Sequence, residues 1–325
     1  MEIGIVGSGA WGCALACAVA RAGHVPLLWG RDPGLLRTIA ERRENPRQLP
    51  GVPLAPEIRV VPDAGELAAA SVWLLAVPAQ ALRAVLRVLP PARSVCVICA
   101  KGIERGSGLL LSQVVEEVRP GTPLAVLSGP SFAAEVARGL PTALTLAAPR
   151  IEDARGLAGR LASPAFRLYA SDDVVGVELV GALKNVVAIA AGAVMGMGLG
   201  ENARAALITR GLAETARLVA AEGGRRETLM GLAGLGDLLL TATSLTSRNT
   251  RFGYELGRGA RPRDLLAPDR PLAEGAWTAR AAVERAARHG IELPITAAVA
   301  DVVEGVVDVR EAVRRLLSRP LPPRE

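Results

Sequence analysis

Short runs of branched aliphatic residues, each followed by an amphipathic stretch, recur through the first half of the chain and stop at about Ser171. Such alternation admits few folds, and a parallel sheet covered by crossover helices is the one that buries every run. Strands are expected at Ile3–Val6, Val25–Trp29, Val72–Val77, Val95–Ile98 and Leu124–Leu127. Weaker strand signals lie at Ile58–Val61, Ala143–Leu146 and Arg167–Tyr169. Helices such as Ala10–Ala22 and Leu109–Val118 fall between them, and Asp32-Pro33 reads as an N-cap followed by proline at the first helical position. From Asp172 to Ser318 the apolar period becomes helical, with breaks at Gly223-Gly224, Pro262, Pro268, Pro271 and Gly290. The expected organisation is an α/β domain over residues 1–171 and an all-α domain over 172–325, with a tail at Pro320–Glu325 that should fray.

Composition narrows the function. Half of the residues are apolar but only 3% are aromatic, so aliphatic and alanine packing must dominate the cores. The longest uncharged stretch, Val186 to Gly200, is shorter than the roughly 20 residues a bilayer demands and reads as a buried helix pair. Strand-like sequence begins at Ile3, so no signal peptide is expected. Cys13 and Cys17 lie one helical turn apart, and Cys96 and Cys99 sit in an apolar run without zinc spacing; all four read as core cysteines, which fits a cytoplasmic setting. His24 and His289 are too distant in sequence to suggest a metal motif, and no metal is expected. The net charge is +6, yet the arginines are scattered and few aromatics are present to stack bases. The charge suits a small anionic substrate rather than nucleic acid.

The turn Gly7-Ser8-Gly9-Ala10-Trp11-Gly12 follows the first strand and opens a helix, the context that a dinucleotide site requires. Gly7 permits the tight turn, Gly9 lets a pyrophosphate reach the helix N-terminus, and Gly12 lets helix and strand pack closely. The first domain is therefore expected to be of Rossmann type. At the end of the second strand an NAD site wants an acid; the chain reads Trp29-Gly30-Arg31-Asp32. Arg31 suits a ribose phosphate, and Asp32 is explained equally well as a helix cap. NADPH is favoured on this ground, with NADH tolerated.

In the second half, Lys184 sits in the apolar run Val177–Val187, sharing a helical face with Val177, Gly181 and Ala188. Burial, and a neighbouring cation such as Lys101, would lower its pKa and fit it to move a proton near neutrality. The bland alternative is a lysine that pairs with Glu178 or reaches solvent; this segment alone leaves the two level. Gly231-Leu232-Ala233-Gly234-Leu235-Gly236-Asp237 adds an acid at the end of a glycine-rich turn. Ser247-Arg248-Asn249 sets a planar cation between two neutral hydrogen-bonding groups, a combination suited to phosphate.

Taken together these motifs resemble the bacterial-type NAD(P)-dependent glycerol-3-phosphate dehydrogenases, from about Ile3 to Leu317. The marks are the Gly7–Gly12 turn, Leu28-Trp29-Gly30-Arg31, Ala100-Lys101-Gly102, Ser128-Gly129-Pro130-Ser131-Phe132-Ala133, Leu183-Lys184-Asn185-Val186, Gly234-Leu235-Gly236-Asp237, Ser247-Arg248-Asn249 and Glu274-Gly275. The resemblance implies reversible reduction of dihydroxyacetone phosphate to sn-glycerol 3-phosphate, supplying glycerophospholipid synthesis, with Lys184 as proton donor and acceptor. It implies that Lys101, Gly129, Ser131, Lys184, Asp237, Ser247, Arg248 and Asn249 line the substrate site. It also implies that Ala10, Trp11, Arg31, Lys101, Ala133, Arg248, Leu272 and Glu274 touch the dinucleotide. One departure stands out: Gln48, in Asn45–Gly51, occupies a position where the family often has tyrosine, so no cofactor contact is assigned to it. The expected partners are a small-molecule substrate and NADP(H) or NAD(H), without nucleic acid or a membrane span; a homodimer stays open. A related dehydrogenase acting on a hydroxy acid is the nearest rival, and it has less use for Lys101 together with Ser247-Arg248-Asn249. A non-catalytic dinucleotide sensor has no use for Lys184.

Overall fold

The computed structural model describes residues 1–320; residues 321–325, most of the tail expected to fray, lie outside the described residues. The first half alternates strands and helices: β1 (Glu2–Val6), α1 (Ala10–Arg21), β2 (Val25–Trp29), α2 (Pro33–Arg42), β3 (Arg59–Val60), β4 (Val72–Leu75), α3 (Leu82–Val88), β5 (Val95–Ile98), α4 (Leu111–Val118), β6 (Leu124–Ser128), α5 (Ala133–Arg138), β7 (Thr142–Ala147), α6 (Ile151–Leu161) and β8 (Phe166–Ser171). Helices follow: α7 (Val174–Gly196), α8 (Gly200–Ala221), α9 (Asp237–Ala242), α10 (Arg248–Gly257), α11 (Pro262–Leu265), α12 (Glu274–Ala287), α13 (Pro294–Val303) and α14 (Val309–Leu317).

The strands form one sheet in the order β3-β2-β1-β4-β5-β6-β7-β8. Strand order reverses at β1, which pairs with β2 on one side and β4 on the other. Ligands of open α/β sheets bind in the crevice at such a switch point, and the turn Gly7–Gly12 leaves β1 there. The turn needs its glycines. Gly7 has φ of +119°, and a side chain on Gly12 would begin 1.8 Å from the carbonyl oxygen of Gly7. Asp32 caps α2 as expected, its Oδ1 accepting from the amide of Leu35 at 2.9 Å.

The sheet departs from the all-parallel expectation in one place: β7 runs antiparallel to β6. Only the six-residue α5 lies between them. Its rise of about 9 Å cannot carry the chain back to the start of the sheet, so β7 returns in the opposite sense. The strand at residues 72–77 ends at Leu75, and the helix at 109–118 begins at Leu111.

The stretch read as a buried helix pair is the latter part of one 23-residue helix, α7, followed by the turn that starts α8. By length and composition α7 is apolar enough to cross a membrane, with mean hydropathy 1.8, but most of it is buried as the central helix of the second half. Close approach explains its glycines: a side chain on Gly192 would begin 2.0 Å from the carbonyl oxygen of Thr250 on α10. The largest apolar cluster ignores the change from strands to helices. It joins Val6, Trp73, Ile98 and Leu111 to Val177, Leu183, Leu218 and Ala282. Polar contacts cross the same boundary. The buried carboxylate of Glu178 on α7 accepts from the amide (2.9 Å) and hydroxyl of Ser112 in the first turn of α4. Arg285 on α12 donates across it to the carbonyl of Gly108 at 2.7 Å, and is held on its own side by Glu222 at 2.6 Å.

Candidate functional site

Asp237 is the first residue of α9 and follows a one-turn π-helix, Leu232–Gly236, a backbone irregularity that occurs often at functional sites. The side chain does not cap its helix. It is 2% exposed, and each of its oxygens meets a lysine. Nζ of Lys184 donates to Oδ1 at 2.8 Å, and Nζ of Lys101 donates to Oδ2 at 2.5 Å. Lys184 comes from α7 and Lys101 from the loop after β5, so one carboxylate ties the two halves of the chain together. Lys184 donates a second hydrogen bond to Oγ1 of Thr241 at 2.7 Å. Its pairing with Glu178 does not occur, because that carboxylate is held by Ser112.

The electrostatics follow from burial. Burial pushes the amine of Lys184 down to about 8; Asp237 works against this, while Lys101 and Arg248 add to it. Burial alone would raise the carboxyl of Asp237, but the two lysines overcome it and hold the group below the usual range. The cluster carries two positive charges to one negative, so it has one cation in excess for an anion.

Lys101 also donates to the carbonyl of Gly129 at 3.3 Å, and the hydroxyl of Ser131 donates to the same oxygen at 2.9 Å. Gly129 has φ of +151°, and Pro130 lies 3.8 Å from where a side chain on Gly236 would begin. The loop 129–131 therefore faces the end of the turn that carries Asp237. Against the face of α7 that bears Lys184, a side chain on Gly181 would begin 2.9 Å from Oγ of Ser128, a buried hydroxyl without a partner.

Ser247 caps α10, accepting from the amide of Thr250 at 3.3 Å, and keeps its own hydroxyl proton to donate. Arg248 is exposed at the first position of that helix, and its charge bears on both Lys184 and Glu274. Asn249 is engaged at both ends of its amide, donating to Oδ1 of Asn185 at 2.9 Å and accepting from the amide of Gly275 at 3.0 Å. It braces three helices at once: α7 beside Lys184, α10 beside Arg248 and α12 beside Glu274. Two residues of this cluster were given no role from the sequence: Asn185, quoted only within the mark Leu183-Lys184-Asn185-Val186, and Thr241. Thr241 is four residues after Asp237, one turn along the same face.

Glu274 opens α12 and reaches the first half of the chain, where Oε1 accepts from the amide of Ala79 at 3.3 Å. Its other oxygen, Oε2, is buried without a partner, and burial raises its carboxyl to about 7. Leu272 lies two residues before it. On the sheet side, Ala10, Trp11 and Gly12 form the first turn of α1, Ala133 opens α5, and Arg31 is exposed at the end of β2. Asp32 is occupied twice over, by the Leu35 amide and by Nη1 of Arg47 at 2.8 Å. The Leu35 amide, with help from Arg47, holds its carboxyl below the usual range.

A dinucleotide fits these residues. Side chains at Gly7 and Gly12 would strike backbone, Gly9 leaves the N-terminus of α1 bare where a pyrophosphate must approach, and the orphaned Oε2 of Glu274 wants a donor at the domain boundary. All four cysteines are buried and free, with burial raising each thiol.

Comparison with known proteins agrees with this geometry. The family models described as NAD-dependent glycerol-3-phosphate dehydrogenase N-terminus and C-terminus match residues 2–154 and 173–314. A protein of Methylobacterium radiotolerans named glycerol-3-phosphate dehydrogenase (NAD(P)+) is 57% identical over 98% of this chain and 97% of its own length. One of the same name from Rhodospirillum rubrum is 54% identical over 98% and 93%. The crystal structure of a glycerol-3-phosphate dehydrogenase from Coxiella burnetii superposes with a TM-score of 0.92 at 40% identity, covering 98% of this chain and 99% of that one. With both family models matched in order along nearly its whole length, the chain belongs to the NAD-dependent glycerol-3-phosphate dehydrogenase family.

Proposed function

We propose that the protein catalyses the reversible NAD(P)H-dependent reduction of dihydroxyacetone phosphate to sn-glycerol 3-phosphate, for glycerophospholipid synthesis in the cytoplasm. Residues 1–171 hold the dinucleotide and residues 172–325 carry the catalytic groups. The observation that carries the reading is the buried pair of Lys184 and Asp237 joined by Lys101. When bound, a reduced nicotinamide would supply the hydride for the carbonyl carbon. Lys184 then gives the proton from Nζ to the carbonyl oxygen, and in the oxidation it takes that proton back. Asp237 and Thr241 fix the direction in which Nζ points, leaving one of its three protons for the substrate. Lys101 and Arg248 balance the substrate phosphate, with Ser131 and Ser247 as neutral donors. Asn249 keeps Arg248 and Glu274 in register with Lys184 and adds its second amide proton. Arg31, free of any ion pair among the described residues, favours NADPH over NADH.

Initial rates with dihydroxyacetone phosphate and each reduced cofactor, beside a panel of 2-oxo acids, test the reading. Turnover of the triose phosphate with NADPH ahead of NADH is expected. Preferential turnover of a 2-oxo acid overturns it in favour of a hydroxy-acid dehydrogenase.

A further inference from the structure

The loop between α2 and β3 is fastened to the dinucleotide turn. Asn45 is fully buried; its Nδ2 donates to the carbonyl of Ser8 at 2.8 Å, inside the turn itself. Its Oδ1 accepts from the amides of Arg47 (3.2 Å) and Gln48 (3.0 Å), so the next two residues stand on the rim of the turn. Gln48 shows how near that rim is: its Oε1 lies 2.9 Å from where a side chain on Gly9 would begin. Arg47 crosses the end of β2 to reach Asp32, the neighbour of Arg31. Arg47, from a separate segment, thus has its guanidinium on the sequence neighbour of Arg31, just beyond the second strand, where the adenosine ribose lies in folds of this type. Arg31 has no ion pair among the described residues, and Arg47 is held by a carboxylate that a helix amide already occupies. The ion pair is open to water, with side-chain exposures of 68% and 47%, and such pairs are weak.

We propose that Arg47 is a second cation for the 2′-phosphate of NADPH, released from Asp32 when that phosphate arrives. This rests on the NADPH preference proposed above. A phosphate monoester carries nearly two negative charges and three acceptor oxygens, so it outcompetes a single carboxylate for the arginine fork. When the cofactor lacks the phosphate, Arg47 stays on Asp32 and keeps that acid from the ribose hydroxyls. The pair therefore selects in both directions: it adds a cation for NADPH and withholds an acceptor from NADH.

The test needs no turnover. Binding of adenosine 2′,5′-bisphosphate and of adenosine 5′-monophosphate is measured by calorimetry at low salt on the wild type and on Arg47→Gln, Arg31→Gln and Asp32→Asn. The wild type should prefer the bisphosphate. Arg47→Gln should lose roughly tenfold or more of that preference, the scale of one charge-assisted hydrogen bond, through weaker bisphosphate binding and, with Asp32 released, somewhat tighter monophosphate binding. Asp32→Asn keeps a good helix cap and frees Arg47, so it should bind the bisphosphate more tightly. A wild type that binds both nucleotides equally removes the NADPH preference, and this proposal with it. A wild type that prefers the bisphosphate through Arg31 alone, with Arg47→Gln silent, overturns this proposal and leaves the preference standing.

Discussion

Replacing Asp237 by asparagine keeps the shape of the side chain and removes the charge on which both lysines converge. At 2.8 Å and an effective dielectric of about 20, unit charges attract by about 6 kcal/mol. The carboxylate is shared with Lys101 and spread over two oxygens, so only a fraction falls to Lys184. A quarter of it, about 1.5 kcal/mol, moves a pKa by about one unit. Asp237 raises the amine of Lys184, so the substitution lowers it from about 8 to about 7 or below. Reduction needs the protonated amine; its rate is full at low pH and falls as pH rises through that pKa. The oxidation runs the other way and gains as pH rises. Profiles of kcat/KM against pH in both directions should therefore show the limb of Asp237→Asn displaced toward acid. Reduction should be lost at pH 8 and partly recovered at pH 6. Removing one member of a buried pair also costs about 3–5 kcal/mol of stability, so a thermal melt accompanies each profile. A folded variant whose limb stays near pH 8 refutes the argument that Asp237 tunes Lys184.

Lys184→Ala should lower kcat by roughly a hundredfold to ten-thousandfold while NADPH binding, measured by fluorescence titration, changes little; full turnover in this variant removes Lys184 from the chemistry. Arg248→Lys keeps the charge but loses the planar fork, so the KM values for substrate and cofactor should both rise, and unchanged saturation curves for both would make Arg248 a plain surface charge. Glu178 holds its proton to about pH 7 because burial disfavours its charge. A group whose folded pKa is raised stabilises the fold at low pH and loses that contribution as pH rises through the folded value. For Glu178 the loss runs between about pH 4.5 and 7, amounting to up to roughly 3 kcal/mol. Glu178→Gln should therefore narrow the gap in Tm between pH 5 and pH 8, and an unaltered gap would show that this carboxyl stays charged.

The parts of the site that are legible in the sequence are those whose residue type conflicts with its surroundings. Lys184 in an apolar helix, Asp237 after a glycine-rich turn and three glycines after a first strand each call for a reason, and the structure brings Lys184 and Asp237 together. Thr241, bonded to Lys184, and Asn185, which anchors Asn249, carry no such conflict, since amides and hydroxyls occur throughout helices. The clasp of Glu178 on Ser112 joins residues 66 apart in sequence, and no local pattern signals a partner at that distance. The reversal of β7 was hidden for another reason: periodicity reports that a strand is buried, not which way it runs. Asp32 shows the opposite case, because its cap on α2 could be read from Asp32-Pro33 while its pairing with Arg47 could not.

The apolar cluster that runs from Trp73 through Val177 to Ala282 bears on how freely such a chain can be rebuilt. Dinucleotide-binding modules are often treated as cassettes, to be exchanged for another cofactor preference. Here the inner surface of the cassette is also the floor beneath α7, and Ser112 is the socket for Glu178. A transplanted first half would meet α7 with the wrong contours and leave the carboxylate of Glu178 without its donors. Changes of cofactor preference in this scaffold are therefore better sought at the exposed rim around Arg31 and Arg47, which the shared core does not reach.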